Sequence, residues 1–294
     1  MAEHVLVERV APAARRRAHP LVRFLRRHPL GAAGLIVILM LLGLALLAPW
    51  IAPYDPVVND FGSMFRPPTL RHWAGTDAYG RDVLSRVIFG ARTALVIGFG
   101  ASLVGAPLGA VVGLASAYFG GKTDLLVQRL VDVMLSFPII IVAMAIVSII
   151  GSGTDKLIVA IALSFVPRVE RVVRGSALGV RVMTYIEAAQ AIGAGAGRII
   201  FRHMTPNVAA PYLVMLTASL GQALLLEASL SFLGLGVSEP TPAWGLMLRG
   251  AAVDFATRAP WMAISPGLAI TVTVLAFNVL GDALRDALDP RLRM

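Results

Sequence analysis

Long runs without a charged residue alternate along this chain with short, Arg-rich intervals, and the runs have the length of a bilayer crossing. Leu30 to Tyr54, Thr93 to Gly121, Val133 to Ile150, Val208 to Leu226 and Trp261 to Gly281 contain no Asp, Glu, Lys or Arg. About 20 apolar residues are needed to cross a hydrocarbon core, and one buried ion costs a helix roughly 2.5–3.5 kcal/mol at the bilayer centre. Each run therefore predicts a transmembrane helix. Leu157 to Pro167 is shorter, about 17 Å of helix, and Arg168, Glu170, Arg171 and Arg174 follow it. It predicts a sixth span if the helix continues to about Ser176, with those charges at the inner boundary or shielded by neighbouring helices. The expected fold is an all-α polytopic membrane protein with about six transmembrane helices.

Composition agrees. Of 294 residues, 57% are hydrophobic and 15% charged, where about a quarter charged is ordinary for a soluble domain. The absence of cysteine excludes a disulfide scaffold, thiol catalysis and thiolate metal sites. A net charge of +9 could suggest nucleic acid, but the basic residues, all Arg except Lys122 and Lys156, mostly flank the apolar runs. They act as topology signals. Six spans put both termini on one side, and that side receives 18 of the 26 Lys and Arg residues against 8 on the other. Both termini are therefore expected in the cytoplasm. A cleaved signal peptide is not expected, because the first apolar run starts only near residue 30 and exceeds an h-region in length. The expected organisation is a basic cytoplasmic arm (1–29), a first transmembrane helix (30–54), an extracytoplasmic segment (55–92), a five-helix core (93–284) containing a cytoplasmic loop (177–207), and a cytoplasmic tail (285–294).

Within the spans, Gly105, Gly109 and Gly113 recur every four residues, a smooth strip against which another backbone can pack closely. Pro107 inside the strip is expected to bend that helix. Glu227 fits either a carboxylate near the outer interface or a polar contact in a transport path, and Asn278 fits an interhelical hydrogen bond or the same path. Enzyme chemistry finds no foothold. The histidines (4, 19, 28, 72 and 203) have no ligand spacing, and no metal site is predicted. Gly120-Gly121-Lys122-Thr123 lacks the first glycine of a phosphate-binding loop, so ATP, if used, binds another chain. Asp282, Asp286 and Asp289 share a helical face, but Arg285 and Arg291 make salt-bridged terminal structure the better reading.

The loop after the fourth span is the most informative stretch. Tyr185-Ile186-Glu187-Ala188-Ala189-Gln190-Ala191-Ile192-Gly193 predicts a short helix ended by Gly193. Arg198-Ile199-Ile200-Phe201-Arg202-His203 predicts a second short helix before Pro206 opens the fifth span. Glu187-Ala188-Ala189, Gly193 and His203-Met204-Thr205-Pro206 resemble the EAA loop of binding-protein-dependent ABC importer permeases. His203 and Thr205 depart from its generic Ile and Leu, and Arg202-His203 resembles the peptide-permease branch. Gly75-Thr76-Asp77 with Gly80-Arg81-Asp82, Glu227 to Gly236, and Asn278 to Pro290 resemble the C-type permease subunit of dipeptide, oligopeptide and nickel importers.

That resemblance implies a type I ABC importer permease fold and a docking site for an ATPase at Glu187, Ala188, Ala189, Gly193, Arg202, His203 and Pro206. It implies as partners a homologous second permease, two ABC ATPase subunits carrying ATP and Mg2+, and an extracytoplasmic substrate-binding protein or lipoprotein, in a lipid bilayer, the cytoplasmic (inner) membrane of a prokaryote, and without nucleic acid. The chain would bind no cofactor and catalyse no covalent step. Its cargo would be dipeptides or oligopeptides, with a nickel complex as the alternative within the family. The competing class is an ion-coupled secondary transporter, which predicts an inverted repeat and midplane ionisable residues.

Overall fold

The computed structural model describes residues 27–255 and 257–288. Those residues form nine helices: α1 (Pro29–Ile51), α2 (Val83–Phe119), α3 (Gly121–Leu135), α4 (Ile139–Ile150), α5 (Thr154–Arg181), α6 (Thr184–Ala191), α7 (Ala196–Phe232), α8 (Trp244–Asp254) and α9 (Trp261–Leu288). No strand occurs among the described residues. Four helices, α1, α2, α7 and α9, are long and apolar enough to cross a membrane. The charges after Pro167 set α5 apart from these four, although it has 28 residues.

The expected third span, Val133 to Ile150, is not one helix. Pro138 has no N–H to donate and pushes Phe137 out of the helical region. The chain breaks there, and α3 and α4 meet at 97°. With only 12 residues, about 18 Å, α4 is too short to cross alone.

Chain direction shows that the bent pair makes a full return. A Cβ on Gly105, Gly109 or Gly113 would lie 2.4, 2.8 and 2.7 Å from the backbone oxygens of Ala162, Val166 and Glu170. Both numberings rise together, so α2 and α5 are parallel and in backbone contact, as the glycine strip predicted; α2 runs on through Pro107. Parallel neighbours require the chain between them to travel back, and α3 plus α4 do so. Asp124, near the start of α3, meets Arg174, and Gln128 and Asp132, further along α3, meet Glu170 and Arg171, earlier in α5, so the two helices run antiparallel. Six passes result, and residues 29 and 288 lie at the same end of the bundle.

Two further differences have local causes. The fifth span does not begin at Pro206 but is continuous with the helix predicted before it, through a wider π turn at Ile199–Met204. Proline cannot bond to the carbonyl four residues back; the wide turn accommodates this, with the Thr205 N–H donating to Ile200 O. At the other end, α2 starts at Val83, ten residues before the uncharged run, because Asp82 caps it by accepting from the Ser85 N–H at 2.8 Å.

Candidate coupling site and buried polar network

The loop that connects α5 to α7 lies at the Phe119 end of α2, where Arg181 donates to Ala117 O at 3.0 Å. It folds as the short helix α6, anchored by buried Ile186 and Ala189 in a cluster with Val180, Ile199 and Met204. Gly193 ends it with φ +80°, a conformation that a Cβ would strain. The turn closes as the Gly193 and Ala194 N–H groups donate to Gln190 O and Ala189 O. Glu187, Ala188 and Gly193 are left on the surface; Arg202 and Pro206 are also exposed, and His203 is half-buried beside Tyr185. Apolar side chains stand around them in the open: Ile192 is 85% exposed, Val182 74% and Phe201 69%. Five charged or apolar surface groups and a fixed turn thus share one face at one end of the bundle.

The opposite end is closed by residues 52–82 and the stretch 233–243. Arg81 donates to Asp77 at 2.7 Å and to Glu239 at 2.8 Å. Burial alone would lower its pKa, but Glu239 and Asp77 outweigh that and hold the guanidinium above its ordinary value. Arg86, 1% exposed, donates to Pro56 O and lies 3.5 Å from the Glu239 carboxylate. The Asp82 carboxylate, besides capping α2, meets His72 Nδ1 at 3.0 Å, and the His72 ring stacks on Tyr54. Thr76 takes the Arg66 N–H on its hydroxyl and the Trp261 indole N–H on its carbonyl. Asp77, Arg81, Asp82 and Arg86 are thus turned inward, while Asp55, Asp60, Arg66 and Arg71 stay exposed.

Of the two residues assigned by sequence to a transport path, Glu227 is buried in α7, five residues before its end, and accepts from Ser231 Oγ at 2.9 Å. Asn278 is on the exposed side of α9, with its Oδ1 2.7 Å from where a Cβ on Gly221 would sit. The structure does not bring the two together. Asp282 and Asp286 form no metal-capable group among the described residues, and Asp289 lies outside them. Sequence reasoning missed the α3–α5 ladder, in which Asp124 grips Arg174 through both oxygens at 2.7 and 2.6 Å and Gln128 donates to buried Glu170. Its signal was present as Asp124, Gln128 and Asp132, a polar residue every four positions along one face of the helix.

A helical bundle with four helices long and apolar enough to cross a membrane, capped at one end and carrying a short exposed helix at the other, has the build of a multi-pass membrane protein. Comparison with known proteins makes this specific. Residues 83–294 match the family described as binding-protein-dependent transport system inner membrane component, and residues 21–68 match the N-terminal TM domain of oligopeptide transport permease C. The glutathione transport system permease protein GsiD of Pectobacterium atrosepticum is 44% identical over 272 residues, covering 92% of this chain and 90% of that protein. GsiD of Escherichia coli is likewise 44% identical, with 92% and 89% covered. A structure titled as inward-facing MetNI methionine ABC transporter covers 70% of this chain and 96% of its own, at 21% identity and a TM-score of 0.50, and shares the fold. The chain belongs to the binding-protein-dependent transport system inner membrane component family.

Proposed function

We propose that this chain is the permease subunit through which an ATP-driven importer moves small peptides into the cell, and that the face around Glu187 and Gly193 is where a separate ATPase takes hold. The observation that carries the reading is α6 itself: a surface helix braced from beneath by Ile186 and Ala189, ended by a left-handed glycine, and surrounded by exposed apolar side chains. Such a helix offers a rigid ridge to a groove on a soluble partner. The 44% identical relatives carry glutathione, a tripeptide, in their name, which favours short peptides over nickel complexes as cargo.

In this reading a homologous second permease completes the pathway, two ATPase subunits bind ATP and Mg2+, and an extracytoplasmic binding protein or lipoprotein delivers the cargo. This chain supplies alternating access and performs no covalent chemistry. Closure of the ATPases displaces α6, and the α2–α5 pair, in backbone contact over three helical turns, carries that displacement as one body. A nucleotide-loaded ATPase can shift the equilibrium only by its preference for one state over the other. The Arg asymmetry favours a cytoplasmic α6 and cytoplasmic termini, with residues 52–82 outside. Because Asp77, Arg81, Asp82 and Arg86 are buried, that segment is mainly a cap, and its exposed members, including Asp55, Arg66 and Arg71, are what remain to receive a binding protein.

Tagged chain purified from its own membranes should bring with it a second permease and an ABC ATPase. Proteoliposomes holding that complex, its binding protein and ATP should accumulate glutathione or trialanine. Purification of the chain without an ATPase, or accumulation of nickel complexes in place of peptides, would overturn the reading.

A further inference from the structure

Arg168 lies fourteen residues into the 28-residue α5, about 21 Å along it and near its middle, where its side chain is exposed on the surface of the single chain. The three arginines that follow it on α5 are all provided for: Arg171 by Asp132, Arg174 by Asp124 and Arg181 by the Ala117 carbonyl. The hydrogen bond of Arg168 goes to a neutral group, Gln222 Oε1 at 3.0 Å, and among the described residues no carboxylate stands within 4.0 Å of it. A guanidinium near the middle of a span costs several kcal/mol against lipid, so it faces protein or water.

A second observation coincides with it. Arg168 and Gln222 line a cavity of about 230 Å³ whose opposite wall is Met134, Phe137 and Ile139, the residues at the break between α3 and α4. Non-helical backbone is tolerated at membrane depth only where it is buried in protein or lines a watery cavity. The broken helix and the unneutralised cation thus converge on one space. With its oxygen occupied by Arg168, the Gln222 amide has its N–H groups to offer, and the guanidinium retains free donors in a fork that matches a carboxylate.

From this convergence we infer that Arg168, supported by Gln222, is a carboxylate-reading point within the pathway, meeting a carboxylate of the peptide in transit. The inference rests on the peptide-importer reading above. It names a specificity-determining residue on the permease itself, separate from any selection by the binding protein.

The test uses the whole importer in proteoliposomes with saturating loaded binding protein, and reads uptake of glutathione and of trialanine per ATP hydrolysed. A charge-assisted hydrogen bond is worth about 1.5–3 kcal/mol, or roughly 10- to 100-fold. R168Q and R168E should therefore lower uptake per ATP by about tenfold or more, R168K should recover part of it, and Q222L should lower it several-fold. Uptake by R168Q within twofold of wild type would overturn the inference while leaving the peptide reading intact. Loss of complex yield in R168Q and R168E, with R168K restoring yield and uptake in parallel, would overturn it too, assigning Arg168 to a carboxylate of the second permease. Failure of the unmodified importer to move either peptide would overturn the peptide reading and this inference with it.

Discussion

At the capped end, Arg81 reaches Asp77 and Glu239, Asp82 holds both His72 and the start of α2, and Trp261 bonds to Thr76. At the α6 end, Ile192, Val182 and Phe201 stand exposed around a helix of eight residues. Both ends leave apolar side chains exposed, Leu70, Trp73 and Phe61 at the capped end among them, but the capped end also buries a charged cluster of Asp77, Arg81, Asp82 and Arg86. Exposed apolar patches of that kind mark sites that a partner covers. The capped end is held together by polar contacts within the chain, and α6 by the apolar cluster beneath it.

The contrast is testable at several strengths. The chain has no cysteine, so single cysteines report sidedness without background. Asn59 and Ser238 are exposed at the capped end and Gln190 at the other. Cysteines at the first two should react fully with an impermeant maleimide on intact cells, and a cysteine at Gln190 only after permeabilisation. The reverse pattern would invert the orientation. Glu187→Lys and Gly193→Leu should each reduce peptide uptake by about tenfold or more, in the manner of a contact hot spot, and lower ATPase recovery on tagged purification. Membrane insertion of both should stay normal by the same labelling assay.

Smaller effects separate the two ends by stability. Arg81→Met removes one partner of a buried cluster and should cost about 3 kcal/mol, seen as a lowered thermal midpoint in detergent even for the chain without its ATPase. Gly105→Ala should cost about 1–3 kcal/mol by overpacking against Ala162 O, again independent of partners. Glu239→Gln should cost only about 0–1 kcal/mol, because its carboxylate is 46% exposed and water screens the pair. If Glu187→Lys lowered the same midpoint as much as Arg81→Met, α6 would belong to the self-sufficient part of the fold.

Much of this was legible in the sequence because the bilayer imposes a length and a polarity on each span. The runs from Leu30, Thr93, Val208 and Trp261 locate α1, α2, α7 and α9, and Gly193 marks the end of α6. The glycines at 105, 109 and 113 foretell a close backbone approach, although nothing in their spacing names α5 as the neighbour. The break at Phe137-Pro138 was written in the proline, but a hydropathy run passes over a residue that is apolar and cannot donate a hydrogen bond. Pairs such as Arg81 with Glu239, 158 residues apart, and Arg168 with Gln222, 54 apart, exist only after the helices pack. Their charges read in sequence as boundary markers or surface groups, and only packing makes Arg81 part of a buried cluster and Arg168 part of a cavity wall.

The parallel contact of α2 with α5 places an unequal demand on the two helices. The atoms that approach Gly105, Gly109 and Gly113 most closely are main-chain oxygens of Ala162, Val166 and Glu170, and every amino acid supplies a main-chain oxygen. Mutational drift at this seam should therefore be one-sided. Substitutions at half-buried Val166 leave its carbonyl where it is, whereas any side chain at the three glycines pushes two long rods apart, so a saturation library would show the glycines far less tolerant than Val166.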